Sequence, residues 1–423
     1  MHVHQKKAFQ FLWQNIGGSM KPTLREAESK RRGGCVISRA PRAGKTFLII
    51  AFLISYLKLF PGKKPLVLTP KITLHTWYKE FIKWEISMPM YLIHGREFAD
   101  RKYMAKALRE GSGILILDEG HNPRSTKSRL RKDPNYRRKS KTAEKARHLL
   151  ESRARKMFLD NIAKKIDSGI GKERMRGLNM LREITNGFID VYESANFENV
   201  PGLQIYTLLM HTTHMQREIL LKLHTRMVEC SGYPLELELF ITLGSIHPWL
   251  VKQPHLDVKI GSKVKFVLSL VFRVMEREKV LIFCHNHPPV RLLVELFELL
   301  FKWEKDREVL LLNLDLFEHG KVIDKFENPG GASKVLLASI TTCAEGISLT
   351  AASRVVFLDS EWNPSKTKQA IARAFRPGQK KMVYVYQLLA TGTLEEDKYQ
   401  RTTWKEWVSS MIFSEAFEEN PSH

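Results

Sequence analysis

Paired cysteines, long apolar runs and acidic residues are all scarce in this 423-residue chain. The cysteines are far apart and form no Cys-x-x-Cys pair, which excludes a zinc ribbon and a disulfide framework; they are Cys35, Cys230, Cys284 and Cys343. The longest apolar run, at 47–60, contains Lys58 and is shorter than the roughly 20 residues that a membrane helix needs. The first residues also lack the layout of a secretory signal. We therefore expect an intracellular protein with no membrane partner.

The shortage of acidic residues gives the chain a strongly basic balance. Its 45 Asp and Glu face 68 Lys and Arg, so the formal net charge is +23. The hydrophobic content of 43% and charged content of 27% are ordinary for a globular protein, which excludes a disordered or collagen-like chain. A basic globular protein favours a polyanionic partner, and the sequence predicts sequence-tolerant binding to DNA through its phosphates.

Short apolar runs alternate with helical segments in two parts of the chain. Up to about residue 122 the strand-like runs are GCVIS, PLVLT, MYLIH and GILILDE; from about 279 to 389 they are KVLIFCHN, EVLLLNL, SKVLLAS, RVVFLDS and MVYVYQLL. This alternation predicts an α/β fold with a parallel sheet in each part. Between them lie a segment with eleven Lys or Arg, at about 124–147, and a Leu-, Met- and Lys-rich stretch with few strand runs. We predict a first lobe at 1–132, a basic loop and helical connector at 133–257, and a second lobe at 258–423.

The first lobe contains two motifs that together predict a nucleotide site. A strand, a loop and a helix meet at Gly44, Lys45 and Thr46, a pattern in which backbone amides, a lysine and a hydroxyl hold phosphates and magnesium. Some 70 residues later, Asp118 and Glu119 end an apolar strand, where acids can hold magnesium and orient water. The alternative, an acidic turn after a core strand, explains only one of the two motifs.

Further segments resemble the SNF2-type helicase-like ATPases over nearly the whole chain. They are HQKKAFQFLW at 4–13, PLVLTPKITLHTWYKEFIKW at 65–84, VLIFCHN at 280–286 and the block ASITTCAEGISLTAASRVVFLDSEWNPSKTKQAIARAFRPGQ at 338–379. Within that family the chain most resembles the plant CLASSY subfamily. The resemblance implies two RecA-like lobes, ATP and Mg²⁺ as cofactors, and a nuclear role with RNA polymerase IV in RNA-directed DNA methylation and gene silencing.

The resemblance also assigns roles to residues in the first lobe. Gln5 would read the adenine, and Gly44, Lys45 and Thr46 would hold the phosphates. Thr46 and Asp118 would hold magnesium, and Glu119 would act on water. These residues would form one half of the ATP site.

In the second lobe, the resemblance places Gln369 in the ATP site and makes Arg373 and Arg376 arginine fingers, which stabilise charge on the transferring phosphate. Their spacing predicts that both arginines project from one helix face; the alternative is an ordinary basic helix. Lys71 and Trp362 would contact DNA, the first through a phosphate and the second by wedging in a groove. The alternatives are that Lys71 is an ordinary surface lysine and that Trp362 is a core residue.

Two other clusters carry less weight as sites. Cys284, His285 and His287 end a core strand with no second ligand group at a suitable spacing, so we interpret them as a structural loop rather than a metal site. His211 and His214 are interpreted as one face of a helix.

The sequence departs from the family pattern in the first lobe. Arg42 stands where the phosphate loop normally has glycine, and Arg39 replaces a small or polar residue. The family's strand and Ser/Thr-Gly-Thr motif do not follow Lys132, so we expect an internal strand to be missing between the strands that precede Lys45 and Asp118. These departures keep a second hypothesis open: a catalytically silent scaffold for DNA or polymerase, or a truncated copy, in place of a DNA-dependent ATPase.

Overall fold

The computed structural model describes two compact units. One comprises Met1–Ala195 with Val408–His423, and the other Asn196–Trp407. The described residues are 2–17, 33–39, 43–69, 74–84, 112–118, 152–192, 201–230, 234–252, 257, 259, 261–312, 319–340 and 347–413.

The first unit contains two separate pairs of parallel strands and the helices beside them. β1 pairs with β4, and β2 pairs with β3. Among the described residues, no strand joins these two pairs into one sheet. The elements in chain order are α1 (Val3–Leu12), β1 (Val36–Arg39), α2 (Lys45–Leu59), β2 (Lys64–Leu68), α3 (Leu74–Lys83), β3 (Ser112–Leu117), α4 (152–166), α5 (Gly171–Thr185) and β4 (Ile189–Tyr192).

The core of the first unit lies between its first two helices and its strands. Ala8 and Leu12 of α1 and Leu48 and Phe52 of α2 are buried together with Ile114 of β3. Alternate residues of a strand face opposite sides, so the neighbours of Ile114 and Ile116 along β3 point away from this core. They are Leu115 and Leu117, which are 53% and 48% exposed. Parallel strands are normally covered on both faces, so two exposed leucines on one strand face are expected where that cover is incomplete.

The second unit is built on a six-stranded parallel sheet with the strand order β5-β10-β9-β6-β8-β7. Its elements are β5 (Leu203–Met210), α6 (His214–Glu229), α7 (Leu235–Ile246), α8 (Trp249–Lys252), α9 (Ser262–Val274), β6 (Lys279–Cys284), α10 (His287–Phe301), β7 (Val309–Leu312), α11 (His319–Glu327), β8 (Val335–Ser339), β9 (Ala352–Phe357), α12 (Pro364–Ala374), β10 (Val383–Ala390) and α13 (Leu394–Phe413), which begins in this unit.

Both faces of this sheet are buried. On β6, Val280 and Ile282 pack with α9 and α10, whereas Leu281 and Phe283 pack on the opposite face with α11 and α12. A strand that is buried on both faces needs a continuous apolar run, as KVLIFC provides. The predicted α/β class with parallel sheets is confirmed.

The structure corrects the expectation that the connector has few strands. Both β4 and β5 lie within 133–257, and β5 pairs with β10 over eight residues, from Leu203 with Val383 to Met210 with Ala390. β5 lies at the sheet edge, where Ile205 and Leu209 are exposed. Gln204 and Thr207 interrupt its apolar run, so the sequence shows neither a continuous apolar run nor strict alternation there. The second compact unit therefore begins before residue 258.

Candidate functional site

The phosphate-loop motif forms the start of α2. Gly44 is the N-cap residue and has a φ of +74°, a left-handed conformation that glycine adopts without strain. Lys45 and Thr46 occupy the first turn of the helix, where unpaired backbone N–H groups favour an anion. Lys45 Nζ donates to the carbonyl oxygen of Arg39 at 2.7 Å, so the ammonium group lies beside the carboxyl end of β1.

Gln5 lies directly against this loop. The residue is 6% exposed, and a methyl group on Gly44 would lie 2.3 Å from Gln5 Nε2. Its Oε1 accepts a hydrogen bond from the backbone N–H of His2 at 2.9 Å, which fixes the side-chain amide at the start of α1. The structure thus brings together two predicted ATP-site residues that are 39 positions apart in the sequence.

Arg39, one of the departures from the family pattern, is a structural residue. Its Nε donates to Asp190 Oδ2 at 2.5 Å, and its Nη2 donates to the carbonyl oxygen of His4 at 3.1 Å. The guanidinium carbon also lies 5.2 Å from the centre of the Tyr192 ring. The arginine therefore links β1 to β4 and to α1. Arg42, the other departure, lies outside the described residues.

Asp118 ends β3, as the motif requires, and its carboxylate is held by two donors. Thr69 Oγ1 donates to Asp118 Oδ2 at 3.1 Å, and Trp77 Nε1 donates to the same oxygen at 2.7 Å. Thr69 directly follows β2, and Trp77 lies in α3. Glu119 and Lys71 lie outside the described residues, so their roles stay predictions.

The predicted arginines of the second unit do not share a helix. Arg373 is in the last turn of α12, but the helix ends at Ala374, so Arg376 lies beyond it. Pro377 follows Arg376 and disfavours the helical conformation of the residue before it. The expectation that both arginines project from one helix face is wrong for this reason. Gln369 is inside α12, one turn before Arg373.

Arg376 is instead fixed by the loop that precedes β9. Its Nη1 donates to the carbonyl oxygen of Ile347 at 2.6 Å. Burial lowers the pKa of its guanidinium group, and Glu327 partly offsets that effect. The peptide N–H of Leu349 donates to the carbonyl oxygen of Arg373 at 2.9 Å, so the end of α12 and this loop are joined at two points.

Trp362 is half-buried and surrounded by charged groups of its own unit. Its Nε1 donates to Glu238 Oε1 at 2.8 Å. The Nζ of Lys398 lies 5.1 Å from the centre of a Trp362 ring, and the guanidinium carbon of Arg401 lies 5.7 Å from a ring centre of the same residue. The Nζ of Lys405 donates to the carbonyl oxygen of Trp362 at 3.1 Å. Arg401 and Lys405 are exposed beside the predicted DNA-contacting indole, whereas Lys398 is buried and pairs with Glu238 at 2.6 Å.

Two carboxylates that the sequence did not single out, Asp359 and Glu361, meet His285 at the carboxyl ends of β6 and β9. The two oxygens of Asp359 accept from the backbone N–H of His285 at 3.1 and 2.9 Å. Burial raises the pKa of Asp359 to about 6. His285 Nδ1 lies 2.7 Å from Glu361 Oε1, and this contact raises the pKa of His285. When its imidazole is protonated, His285 therefore forms an ion pair with Glu361.

A buried ion pair lies beneath this group. Lys263 Nζ contacts Glu395 Oε1 and Oε2 at 2.7 and 2.6 Å, and it donates to the carbonyl oxygen of Leu358 at 2.8 Å. Glu395 Oε2 also accepts from the backbone N–H of Ala390. Both side chains are fully buried. A lysine inside the repeated apolar pattern of α9 was the only local signal for this pair.

Comparison with known proteins identifies the family. A family described as "Helicase conserved C-terminal domain" matches residues 262–378. The chain is 54% identical to SNF2 domain-containing protein CLASSY 1 of Arabidopsis thaliana, over the whole of this chain and 44% of that protein. The chain belongs to the CLASSY group of SNF2-type helicase-like proteins. It is 53% identical to CLASSY 2 of the same plant, over the whole of this chain and 43% of that protein.

The chain spans less than half the length of these two CLASSY proteins. The alignment with CLASSY 1 is 546 positions long, whereas this chain has 423 residues, so at least 123 positions of the relative have no counterpart here. Among solved structures, the chain is similar to the Sulfolobus solfataricus SWI2/SNF2 ATPase core in complex with dsDNA. The two are 20% identical with a TM-score of 0.40, over 96% of this chain and 92% of that one.

In the described part of the chain, no helix is both long and apolar enough to span a bilayer.

Proposed function

We propose that this chain binds ATP with magnesium through its first unit and works as a DNA-dependent ATPase of the SNF2 type. The observation that carries the proposal is the contact between Gln5 and Gly44 at the N-terminus of α2, with Lys45 in the same turn. An adenine-reading amide and a phosphate-binding helix end have to be neighbours for one nucleotide to reach both. The absence of a Cβ atom on Gly44 leaves the space that the side-chain amide of Gln5 occupies beside the loop.

The residues of the first unit fit the nucleotide and its metal. Lys45 would neutralise phosphate charge, and the hydroxyl of Thr46 and the carboxylate of Asp118 are oxygen donors of the kind that Mg²⁺ prefers. Bound magnesium would neutralise charge on the phosphates. Glu119 would orient or deprotonate the attacking water. In the second unit, Gln369, Arg373 and Arg376 would serve the ATP site, with the arginines stabilising the charge of the transferring phosphate.

We further propose that the chain binds DNA without sequence preference, with Lys71 and Trp362 as contacts. The net charge of +23 and the cations beside Trp362 support this. Lysine and arginine contacts to phosphates displace counterions, so affinity for duplex DNA should fall about tenfold or more between roughly 50 and 200 mM salt. An affinity that stays flat over this range would contradict the proposal.

The family supports a cellular role in the nucleus, with RNA polymerase IV, in small-RNA-directed DNA methylation and silencing. Co-purification of the tagged chain with polymerase IV from plant nuclei tests this role. Recovery at the level of an unrelated tagged nuclear protein would contradict it.

A catalytically silent scaffold is the second candidate function. Three observations favour it: the described strands of the first unit form two separate pairs, Leu115 and Leu117 are exposed, and the relatives have at least 123 further positions. In the described part of the first unit no strand lies between β1 and β3, so the phosphate loop and Asp118 are held by different strand pairs. A displacement of about 1 Å can lower a rate about a hundredfold.

Phosphate release with and without duplex DNA separates the two candidates. We expect the present chain to release phosphate slowly, and a chain with the CLASSY 1 segment restored after Lys132 to melt at a higher temperature and respond to DNA. Equal melting and equal turnover of the two chains would show that the missing segment has no part in the site.

A further inference from the structure

One buried tryptophan of the first unit uses its only polar group on the carboxylate of Asp118. Trp77 is 7% exposed, and its Nε1 donates to Asp118 Oδ2 at 2.7 Å. An indole has one N–H donor and no acceptor, so this hydrogen bond is its whole polar capacity. Trp77 thus joins α3 to the end of β3.

The backbone and side chain of Asp118 are held from separate elements. Its peptide N–H donates to the carbonyl oxygen of Leu68 at 2.9 Å, which continues the pairing of β2 with β3. Thr69 Oγ1 and Trp77 Nε1 both donate to Oδ2, at 3.1 and 2.7 Å. A carboxylate at a strand end otherwise rotates about its Cβ–Cγ bond. Two donors on one oxygen restrict that rotation and set the direction of the other oxygen.

We propose that Trp77 is a positioning residue for Asp118, orienting the carboxylate for a divalent cation bound with nucleotide phosphates. This inference rests on the proposed ATP-binding function. Groups that hydrogen-bond to a metal-binding side chain orient it, and their loss lowers metal affinity by about 10- to 100-fold. The short contact from a buried, rigid ring makes Trp77 the stronger of the two donors, with Thr69 adding a second restraint.

The test is the magnesium dependence of nucleotide binding by the full chain. Trp77→Phe removes the N–H and keeps an aromatic ring in the same place. A fluorescent ATP analogue is titrated with the wild type and the variant over a series of Mg²⁺ concentrations and in EDTA. We expect the Mg²⁺ concentration for half-maximal enhancement of binding to rise about tenfold, with little change in EDTA.

Trp84→Phe is the matched control. Trp84 follows α3 directly, and its Nε1 donates to Glu80 Oε2 at 3.2 Å on the exposed side of that helix. This variant should keep the wild-type Mg²⁺ midpoint. Thr69→Val, which removes the other donor and no ring, should shift the midpoint in the same direction as Trp77→Phe. If the tryptophan variant does not fold, Thr69→Val tests whether hydrogen bonds to Asp118 Oδ2 orient the carboxylate for the cation.

Two outcomes overturn the inference, and they differ from failure of the proposed function. A folded Trp77→Phe chain with the wild-type Mg²⁺ midpoint shows that the indole serves packing alone, even if the melting temperature falls. A wild-type midpoint in Thr69→Val shows that hydrogen bonds to Asp118 Oδ2 do not orient the carboxylate for the cation. If the unmodified chain binds no nucleotide with or without Mg²⁺, the ATP-binding function and this role are both refuted.

Discussion

Gly44→Ala should disrupt the first unit more than the same change at another left-handed glycine. Gly44 and Gly187 have φ values of +74° and +71°, and both lie in the first unit. A Cβ atom on Gly187 meets nothing within 4 Å, whereas one on Gly44 would lie 2.3 Å from Gln5 Nε2. Gly187→Ala therefore isolates the cost of the backbone conformation, and Gly44→Ala adds displacement of the glutamine.

The expected losses in the free energy of unfolding follow from these two contributions. A left-handed alanine costs about 1–2 kcal/mol, which is the expected loss for Gly187→Ala. Displacing Gln5 also breaks the hydrogen bond that its Oε1 accepts from His2, which is worth about 0.5–1.5 kcal/mol. Gly44→Ala should therefore lower the free energy of unfolding by roughly 2–3 kcal/mol. In a Gln5→Ala background the cost of Gly44→Ala should drop to that of Gly187→Ala.

Native-state hydrogen exchange of the amides in α2 gives the local free energy of opening for each variant. Titration with an ATP analogue should also show that Gly44→Ala weakens binding and Gly187→Ala does not. If Gly44→Ala costs no more than Gly187→Ala, and the cost is the same with and without Gln5, then Gln5 does not pack against the phosphate loop and the argument is refuted.

Three further predictions concern the second unit. Lys263→Ala should lower the free energy of unfolding of the second unit by about 3–5 kcal/mol in urea, because Glu395 would remain buried and uncompensated. Lys263→Met combined with Glu395→Leu should cost less than the single change. An equal or greater cost for the double variant would contradict this. The pKa of Asp359 is raised to about 6, so the folded state holds this proton more tightly than the unfolded chain does. Its stabilising contribution is complete below about pH 4 and is lost as pH rises through about 6, so Asp359→Asn should flatten the pH dependence of unfolding in this window. The raised pKa of His285 acts in the same direction at higher pH, above about 6.5, and an unchanged profile in His285→Gln would contradict that assignment.

The strands of the second sheet could be predicted from the sequence because they are buried on both faces. The runs containing KVLIFC, VLLL, VLLAS, RVVF and VYVYQLLA became β6, β7, β8, β9 and β10. A strand in the middle of a parallel sheet has apolar neighbours on either side, so its whole length is apolar. β5 was missed because two polar residues, Gln204 and Thr207, interrupt its apolar run.

The candidate site was predicted where local sequence determines it. The strand, glycine and helix around Lys45 form one continuous segment, and Asp118 follows a continuous apolar strand. Contacts between distant segments gave no such signal. Arg39 pairs with Asp190, 151 residues away, and nothing near either residue indicates the partner. Helical spacing also misplaced Arg376, because the proline after it ends the helix first.

Nucleotide affinity of Lys45→Ala shows whether the start of α2 binds phosphate. The full chain is titrated with an ATP analogue beside Lys58→Ala, which removes a lysine from the last turn of the same helix. A charge-assisted hydrogen bond is worth about 1.5–3 kcal/mol, so Lys45→Ala should weaken binding at least about tenfold, and Lys58→Ala should leave it unchanged. Arg42→Gly should weaken binding less than Lys45→Ala does. Nucleotide affinity that Lys45→Ala leaves at the wild-type value would contradict a phosphate site at the start of α2.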